Sequence, residues 1–420
     1  MRNSARAILL ATLASVAQAQ GWTPVSSSAT TAVNSTSADA GPSLSSDGLT
    51  MYFSSSRTVI APAPLPVSWE IYSTTRTSIG APWGAPVREV ACSSPLVDDQ
   101  PFITADGLEL WFNSSRTGNA GSGDIMRMTR ASTASLWGAP VFVTELQSIG
   151  ADSSPTLTDD LNEIYFLSTG FGNPGGNNNS LFVATRANPA LPFSPPQLVT
   201  QFYNGLTHRD VHVSGNGLEI WYTEFISSIS RIQVKHASRL SRSAPFGPAT
   251  NVTEFDNTGT SLGVYGISVS RDGTEMILDV GYPTAGGSRE LQTSRFSGCT
   301  TTGVASGYSY LELRIRDGAG AGRPYLLVLS GGNTGFFVNT LFIPVDPDPI
   351  FTMTLGVDVP PFTAGFAGIT DFDGTGLGSV VDPTFGTLAG ITLFATGATI
   401  DPITTGVSLI GNAVSFQFQP

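Results

Sequence analysis

Charged residues are scarce in this 420-residue chain. They make up 12% of it, about half the share in an average protein, while 40% of the residues are hydrophobic. This composition excludes a disordered, charge-solvated chain and supplies enough apolar material for large cores. The charge that is present is mostly negative, with a net charge of -12, so the phosphate backbone of a nucleic acid would be repelled. Nucleic-acid binding is therefore not expected.

Long hydrophobic runs are also missing, apart from a short one at the N-terminus. Residues 1–19 combine Arg2 and Arg6 with about ten apolar residues and end in Ala17-Gln18-Ala19. This pattern is typical of a secretory signal peptide cleaved near Ala19. Because no later run is long enough to span a bilayer, we expect a mature chain without a transmembrane segment, located in the periplasm or secreted.

Cysteine is nearly absent: the chain contains only Cys92 and Cys299. An exported chain can form disulfides, but the sequence leaves open whether these two pair. The residue immediately after the cleavage point is Gln20 and not Cys, so a lipid anchor is not indicated. Neither a G-x-S-x-G serine elbow nor a P-loop lysine motif is present, which argues against serine hydrolase and nucleotide-binding activity.

Gly and Pro, in contrast, are abundant, at 46 and 28 residues, as expected for a chain that turns often. The turns recur every 54 to 59 residues, and each one is followed by an apolar strand that is aromatic in the first four copies. The turn dipeptides are Asp47-Gly48, Asp106-Gly107, Asp160-Leu161, Asn216-Gly217 and Asp272-Gly273. Four short antiparallel strands per copy are typical of a β-propeller blade. The sequence thus predicts an all-β, five-bladed propeller over residues 20–298.

An aromatic tag, such as Trp83-Gly84-Ala85-Pro86, precedes the fourth strand of the first four copies. The fifth copy lacks this tag, which occurs instead near the N-terminus as Trp22-Thr23-Pro24. We therefore predict that an N-terminal strand completes the fifth blade and closes the ring.

The second copy carries the motifs of a known repeat: Asp98-Asp99-Gln100-Pro101, Asp106-Gly107, Trp111-Phe112, Ser115-Arg116-Thr117-Gly118 and Asp124-Ile125. Residues 22–298 resemble the WD40-like (PD40) propeller repeat of TolB-type proteins of the bacterial envelope. The resemblance implies an extracytoplasmic scaffold that binds proteins or glycans. Known members mostly have six blades, whereas this chain shows five copies. It also departs from the pattern at Leu161, at the missing Ser-Arg pair of the third copy, and in the fourth and fifth copies.

The remaining residues, 299–420, form a separate domain. Leu311, Leu313 and Ile315 alternate with charged residues, and about eight short strands are separated by turn clusters. This pattern predicts a small β-sandwich.

The candidate ligand site lies at the channel mouth, where the innermost strands of a propeller begin. Eight residues before the turns stand Asp39, Asp98, Asp152 and His208, with Arg209, Asp210 and His212 close by. The regular repeat and the absence of a singular catalytic set favour a non-enzymatic protein that binds an envelope or extracellular protein, or a polysaccharide, through these residues. The alternative is glycoside cleavage by the carboxylates. An Asp repeated in three copies favours a structural role, since catalytic groups should be singular. No cofactor is implied; Ca²⁺ remains open.

Overall fold

The structure is a computed structural model. It describes residues 22, 25–57, 69–118, 120–176, 178–239, 241–256, 262–271, 273, 275–282 and 289–295, together with the backbone of the strands between Cys299 and Gln417. The signal segment, Thr23-Pro24 of the N-terminal tag and Asp272 lie outside the described residues. One compact unit comprises Pro24–Arg271 and Glu275–Ser294, and the other contains the strands from Cys299 onward.

The first unit is all-β and follows the sequence repeats. The first repeat forms β1 (Asp39–Leu44), β2 (Thr50–Ser55), β3 (Glu70–Thr75) and β4 (Val87–Arg88), and the second forms β5 (Asp98–Ile103), β6 (Glu109–Ser114), β7 (Asp124–Thr129) and β8 (Val141–Phe142). The third repeat forms β9 (Asp152–Leu157), β10 (Glu163–Ser168), β11 (Ser180–Thr185) and β12 (Gln197–Leu198). The fourth repeat forms β13 (Thr207–Val213), β14 (Glu219–Ile226), β15 (Arg231–Ser238) and β16 (Thr250–Asn251), and the fifth forms β17 (Gly263–Val269), β18 (Glu275–Gly281) and β19 (Arg289–Arg295).

Consecutive strands of each repeat pair antiparallel. The first three repeats are separate four-stranded sheets, whereas the fourth and fifth share a seven-stranded sheet through a single parallel pair, Ile232 with Gly263. Short 3₁₀ helices end the first four repeats at Val90–Cys92, Thr144–Leu146, Thr200–Phe202 and Thr253–Phe255.

The repeated turn joins the first and second strands by side-chain capping. In the second repeat, Thr104 Oγ1 donates to Asp106 Oδ1 at 2.6 Å, and the Leu108 N–H donates to the same oxygen at 3.0 Å. Gly107 has a φ of +69°, in the left-handed region that glycine tolerates. Leu161 takes the glycine position of the third repeat at a φ of +59°, so that turn keeps the same geometry with a strained residue.

The aromatic tag has a role that its sequence did not indicate. Its ring lies 4.2–4.5 Å from the guanidinium carbon of the arginine that follows the third strand. The pairs are Arg76 with Trp83, Arg130 with Trp137, Arg186 with Phe193, and Arg239 with Phe246. Each arginine Nε also donates to a backbone carbonyl of the turn. The tag thus clamps the third strand to the turn by a cation–π contact.

The first strands of the repeats contact one another in a cycle. At each junction a backbone N–H of one first strand donates to a side chain of the preceding one, over 2.8–3.2 Å. The pairs are Leu44 with Ser268, Ile103 with Ser43, Ser154 with Gln100, Val213 with Thr156, and Ile267 with Asp210. β1 therefore contacts both β5 and β17.

The N-terminal segment lies beside the fifth repeat, where the sequence analysis placed it. Ser26 and Thr293 exchange two backbone hydrogen bonds of 2.9 and 2.8 Å. Asn34 also exchanges hydrogen bonds with the backbone of Leu291, at 2.9 and 2.8 Å. The pairing at Ser26 is an isolated bridge and not a full strand.

The second unit contains β20 (Cys299–Ala305), β21 (Tyr310–Asp317), β22 (Pro324–Ser330), β23 (Phe336–Val338), β24 (Leu341–Ile343), β25 (Thr363–Ala364), β26 (Ala367–Ile369), β27 (Thr375–Val381), β28 (Thr392–Ile400), β29 (Val407–Ile410) and β30 (Val414–Gln417). They form one sheet in the order β20-β21-β27-β25, a second in the order β26-β22-β28-β29 with β30 also on β28, and a hairpin of β23 and β24. The predicted alternating strand at Leu311, Leu313 and Ile315 falls on β21.

Two further expectations concern cysteine and the membrane. Cys92 is a free, buried thiol that donates to the Glu89 carbonyl at 3.1 Å, and burial raises its pKa. The Cys299 side chain lies outside the described residues. None of the helices in the described part of the chain is long and apolar enough to cross a bilayer.

Candidate functional site

The three repeated carboxylates are held within their own repeats. Asp39, Asp98 and Asp152 each begin a first strand and are fully buried. Each accepts a hydrogen bond of 2.5–2.6 Å from the serine that ends the second strand. These serines are Ser55, Ser114 and Ser168. The contact joins the first strand to the second at the channel mouth, which we define as the end of the unit where β1, β5, β9, β13 and β17 begin.

Arginines reinforce this contact in the first two repeats. Arg57 lies 2.5 Å from Asp39, and Arg116 lies 2.7 Å from Asp98. The same arginines donate to the serines. These carboxylates are therefore neutralised by groups of their own repeat.

The fourth and fifth repeats replace this pair. His208 faces Glu224, with His208 Nε2 3.9 Å from Glu224 Oε1, and both side chains are buried. Burial lowers the pKa of His208, with the Glu224 carboxylate opposing it. Val264 faces Val280 at the corresponding position of the fifth repeat. The facing residues are thus an acid and a hydroxyl in the first three repeats. They are an imidazole and an acid in the fourth repeat and two apolar residues in the fifth.

A small cavity lies where the first strands converge. Its lining comes from the middle residues of these strands: Gly41, Pro42, Ser43, Gln100, Pro101, Phe102, Ser154, Pro155, Thr156, Asp210, Val211, His212 and Ile267. Its volume is about 20 Å³, enough for a water molecule. Of the residues predicted to converge, only Asp210 and His212 line it; Asp39, Asp98, Asp152, His208 and Arg209 do not.

Asp210 lies close to a second buried carboxylate, Asp279. The Ile267 N–H donates to Asp210 Oδ2 at 2.8 Å. A Cβ placed on Gly266 would lie 3.2 Å from both Asp210 Oδ2 and Asp279 Oδ2, so these oxygens are separated by no more than twice that distance, 6.4 Å. Glycine at 266 leaves the space between the two carboxylates open.

Arg289 binds Asp279 through two nitrogens. Its Nε donates to Asp279 Oδ1 at 2.9 Å, and its Nη2 donates to Oδ2. Asp279 Oδ2 also accepts the Gly41 N–H at 3.3 Å, so this ion pair spans the junction between the fifth and first repeats. The guanidinium lies 4.8 Å from the Tyr265 ring and 5.7 Å from the Trp69 ring.

Asp99 completes a group that we call the Arg289 cluster: Asp99, Asp210, Asp279 and Arg289. Burial raises the pKa of Asp99 to about 6, against a hydrogen bond of 2.7 Å from Asn113 and the charge of Arg289. Burial also raises the pKa of Asp210 to about 7. Both acids therefore change protonation near neutral pH, a common property of groups at functional sites.

The remaining candidates have simpler surroundings. Burial lowers the pKa of His212 to about 4, and its ring lies 6.0 Å from the Trp221 ring. Arg209 is exposed, with its guanidinium carbon 5.8 Å from the Phe225 ring. Trp69 is half-buried. No group of three metal-ligating side chains occurs among the described residues.

Sequence reasoning missed Asp279 and Arg289. The signal was present in the repeat alignment, because Ser54, Asn113, Leu167 and Thr223 hold the position of Asp279 in the other repeats. Arg289 likewise stands where Glu70 and Asp124 begin the third strands of the first two repeats. Asp279 is the only acidic residue at its position in the five repeats, and Arg289 replaces an acidic residue of the first two repeats with a basic one.

Comparisons with known proteins add little to this geometry. No family model matches the chain, and no curated protein matches it. TolB from Acinetobacter baumannii aligns at 15% identity over 63% of this chain and 56% of that chain, with a TM-score of 0.38. A putative TolB from Agrobacterium tumefaciens aligns at 10% identity over 84% and 93%, with a TM-score of 0.38. A GH43 β-xylosidase/α-arabinofuranosidase from a compost metagenome aligns at 10% identity over 69% and 96%, with a TM-score of 0.40. Such low scores favour neither a binding protein nor an enzyme.

Proposed function

We propose that this chain is an extracytoplasmic five-bladed β-propeller, followed by a β-sandwich domain, that binds a glycan at the channel mouth through the Arg289 cluster. The five blades are the five repeats, with the N-terminal segment completing the fifth. The cyclic hydrogen bonds between first strands support this ring. The buried ion pair of Arg76 with Glu275, which joins the first repeat to the fifth, supports it as well.

The observation that carries the binding proposal is the placement of singular charges beside aromatic rings. The cluster sets three carboxylates around one guanidinium, with Trp69 and Tyr265 beside it. Carboxylates and guanidinium groups exchange strong hydrogen bonds with hydroxyls, and aromatic rings pack against the apolar faces of sugars. The repeated carboxylates have other partners: Asp39 and Asp98 are each bound by a serine and an arginine of their own repeat, and Asp152 is bound by Ser148 and Ser168.

The test is glycan binding by the full chain and by two cluster variants. Asp279→Asn and Arg289→Met each remove one charge, and loss of a charged hydrogen bond should weaken binding by about tenfold or more. The matched control is Asp47→Asn, in a turn far along the sequence from the cluster. Asn216 accepts the same two hydrogen bonds in the fourth repeat, so this change is tolerated by the fold. Unchanged affinity in both cluster variants would refute the site, and binding only to a protein would refute the glycan.

A second candidate function, glycoside cleavage, rests on the carboxylate separation. Asp210 Oδ2 and Asp279 Oδ2 are at most 6.4 Å apart, below the upper limit of the roughly 5–9.5 Å that separates the carboxyl pairs of glycosidases. Asp210, with its pKa raised to about 7, has the protonation required of a general acid. Asp279, held by Arg289, would then be the base or nucleophile.

Measuring the release of new reducing ends from a bound glycan distinguishes glycan binding from glycoside cleavage. A binding protein releases no new reducing ends from that glycan. An enzyme releases them, and Asp210→Asn should abolish release even at glycan concentrations that saturate the variant. Turnover that survives Asp210→Asn would exclude this carboxylate pair.

A further inference from the structure

A different pair of carboxylates meets where the second repeat contacts the third. Asp124 begins β7 and Asp152 begins β9, and both side chains are fully buried. The Asp152 N–H donates to the Gly123 carbonyl at 2.8 Å, which fixes the two strand starts side by side. The two carboxyl groups are close enough to hydrogen-bond with each other.

Neutral donors surround this pair but leave one oxygen unused. Asp152 accepts from the Ser148 N–H at 2.7 Å, from Ser148 Oγ at 3.0 Å and from Ser168 Oγ at 2.5 Å. Asp124 Oδ2 accepts from the Ala120 N–H at 2.5 Å and from Gln147 Nε2 at 3.3 Å. Asp124 Oδ1 is buried and receives no hydrogen from any donor among the described residues.

The junction between the first and second repeats contains arginines that the Asp124 and Asp152 pair lacks. There Glu70 and Asp98 occupy the same positions, and arginines neutralise both: Arg88 lies 3.4 Å from Glu70 and Arg116 lies 2.7 Å from Asp98. The third repeat has Gly170 in place of Arg116. A Cβ at Gly170 would lie 1.9 Å from Ser148 Oγ, so the serine occupies the space of the missing side chain.

No Lys, Arg or His among the described residues forms an ion pair with Asp124 or Asp152, whereas Arg88 and Arg116 form ion pairs with Glu70 and Asp98. On the second repeat, Asp98 and Arg116 form an ion pair with each other. On the far side of the third repeat, β13 and β14 contribute the His208 and Glu224 pair. Two ionised carboxylates in this setting would repel each other without compensation.

We propose that Asp124 and Asp152 share one proton at neutral pH, so that this junction is tight in acid and loosens when the proton is lost in mild alkali. The proton takes the place that arginines fill at the neighbouring junction. Burial raises the pKa of Asp152 to about 7. An Asp in the unfolded chain has a pKa of about 3.9, so the folded state holds the proton more tightly. This stabilising contribution is complete below about pH 4 and is lost as the pH rises through about 7.

The test compares the melting temperatures of the full chain and of Asp124→Asn between pH 5 and pH 9. The amide of the variant donates permanently to Asp152 and does not titrate. The melting temperature of the variant, taken relative to that of the wild type, should rise by several degrees as the pH is raised from 5 to 9. Asp47→Asn, which makes the same chemical change at an exposed turn, should track the wild type. A difference that stays constant with pH would overturn the proposal.

Infrared spectroscopy identifies the proton directly. A protonated carboxyl band should be present at pH 6, diminish near pH 7 to 8, and differ between the wild type and Asp124→Asn. The band of Asp210 cancels in that difference. If Asp124→Asn does not fold, Asp152→Asn serves the same comparison. A melting temperature that falls with chelator at pH 7.5 and recovers with calcium would show a cation in place of the proton and would also overturn the proposal.

Discussion

The first two repeats and the last two solve the same structural problem with different residues. In the first two, an Asp at the start of the first strand binds the Ser that ends the second strand and an Arg two residues after that Ser. In the fourth repeat, a His and a Glu occupy the pair, and in the fifth, two valines do. The backbone pairing is the same in all of them, so the Asp is one of several ways to join these strands.

This comparison indicates where function can be placed. The recurring Asp39 and Asp98 are each bound by a serine and an arginine of their own repeat, and the recurring Asp152 is bound by Ser148 and Ser168. The residues that occur once, Asp210, Asp279 and Arg289, meet where the repeat pattern is weakest. A search for a site should therefore begin with departures from the repeat and not with its consensus.

Breaking the ion pair between the first and fifth repeats should have the largest effect. The side chains of Arg76 and Glu275 are 0% and 3% exposed, and Arg76→Met leaves the Glu275 charge buried without this partner. We expect a loss of about 3–5 kcal/mol in the free energy of unfolding by urea. Arg271→Met removes an exposed pair with Asp159 and should cost less than about 1 kcal/mol. Equal losses in Arg76→Met and Arg271→Met would contradict the burial of the Arg76 and Glu275 ion pair between the first and fifth repeats.

Replacing the His208 and Glu224 pair of the fourth repeat with the Asp and Ser pair of the first three repeats should have an intermediate effect on stability. His208→Asp alone places a second carboxylate against buried Glu224, and we expect a loss of about 2 kcal/mol at pH 7. Adding Glu224→Ser restores the pair found in the third repeat and should recover most of that loss. Urea unfolding of both variants measures the coupling. A double variant as unstable as the single one would show that the pairs are not interchangeable.

Placing a glutamate at the start of the second strand of the first repeat should give a small gain in stability. The second strand begins with Glu in the second to fifth repeats but with Thr50 in the first. Glu275 and Glu163 bind the arginine of the following repeat, whereas Arg130 interacts with Tyr52 beside Thr50. We expect Thr50→Glu to add about 0.5 kcal/mol to the free energy of unfolding. A loss of stability would mean that Arg130 cannot reach the new carboxylate.

Much of the fold could be predicted because its information is local. The Asp-Gly turns, the strand starts at Asp39, Asp98 and Asp152, and the position of the N-terminal segment all follow from residues close together in the sequence or from the repeat register. The structural reading of the repeated Asp also follows from its recurrence.

The candidate site was only partly predictable because it joins distant residues. Asp210 was identified from its position before a turn, but Asp279 and Arg289 lie about 70 to 80 residues further along the chain. Their contact depends on how the fourth, fifth and first repeats meet, and on the absence of a side chain at Gly266. The stacking of the aromatic tag on arginine was missed for the same reason, since sequence spacing does not show which faces meet.

The most direct test of this account compares Asp210→Asn with Asp98→Asn. Both remove a buried carboxylate, one from the Arg289 cluster and one from the repeat consensus. Calorimetric titration would use the glycan that most raises the melting temperature of the full chain. The account predicts that Asp210→Asn loses affinity by about tenfold or more, whereas Asp98→Asn melts at a lower temperature but binds with unchanged affinity. Loss of affinity in Asp98→Asn with full binding by Asp210→Asn would contradict it.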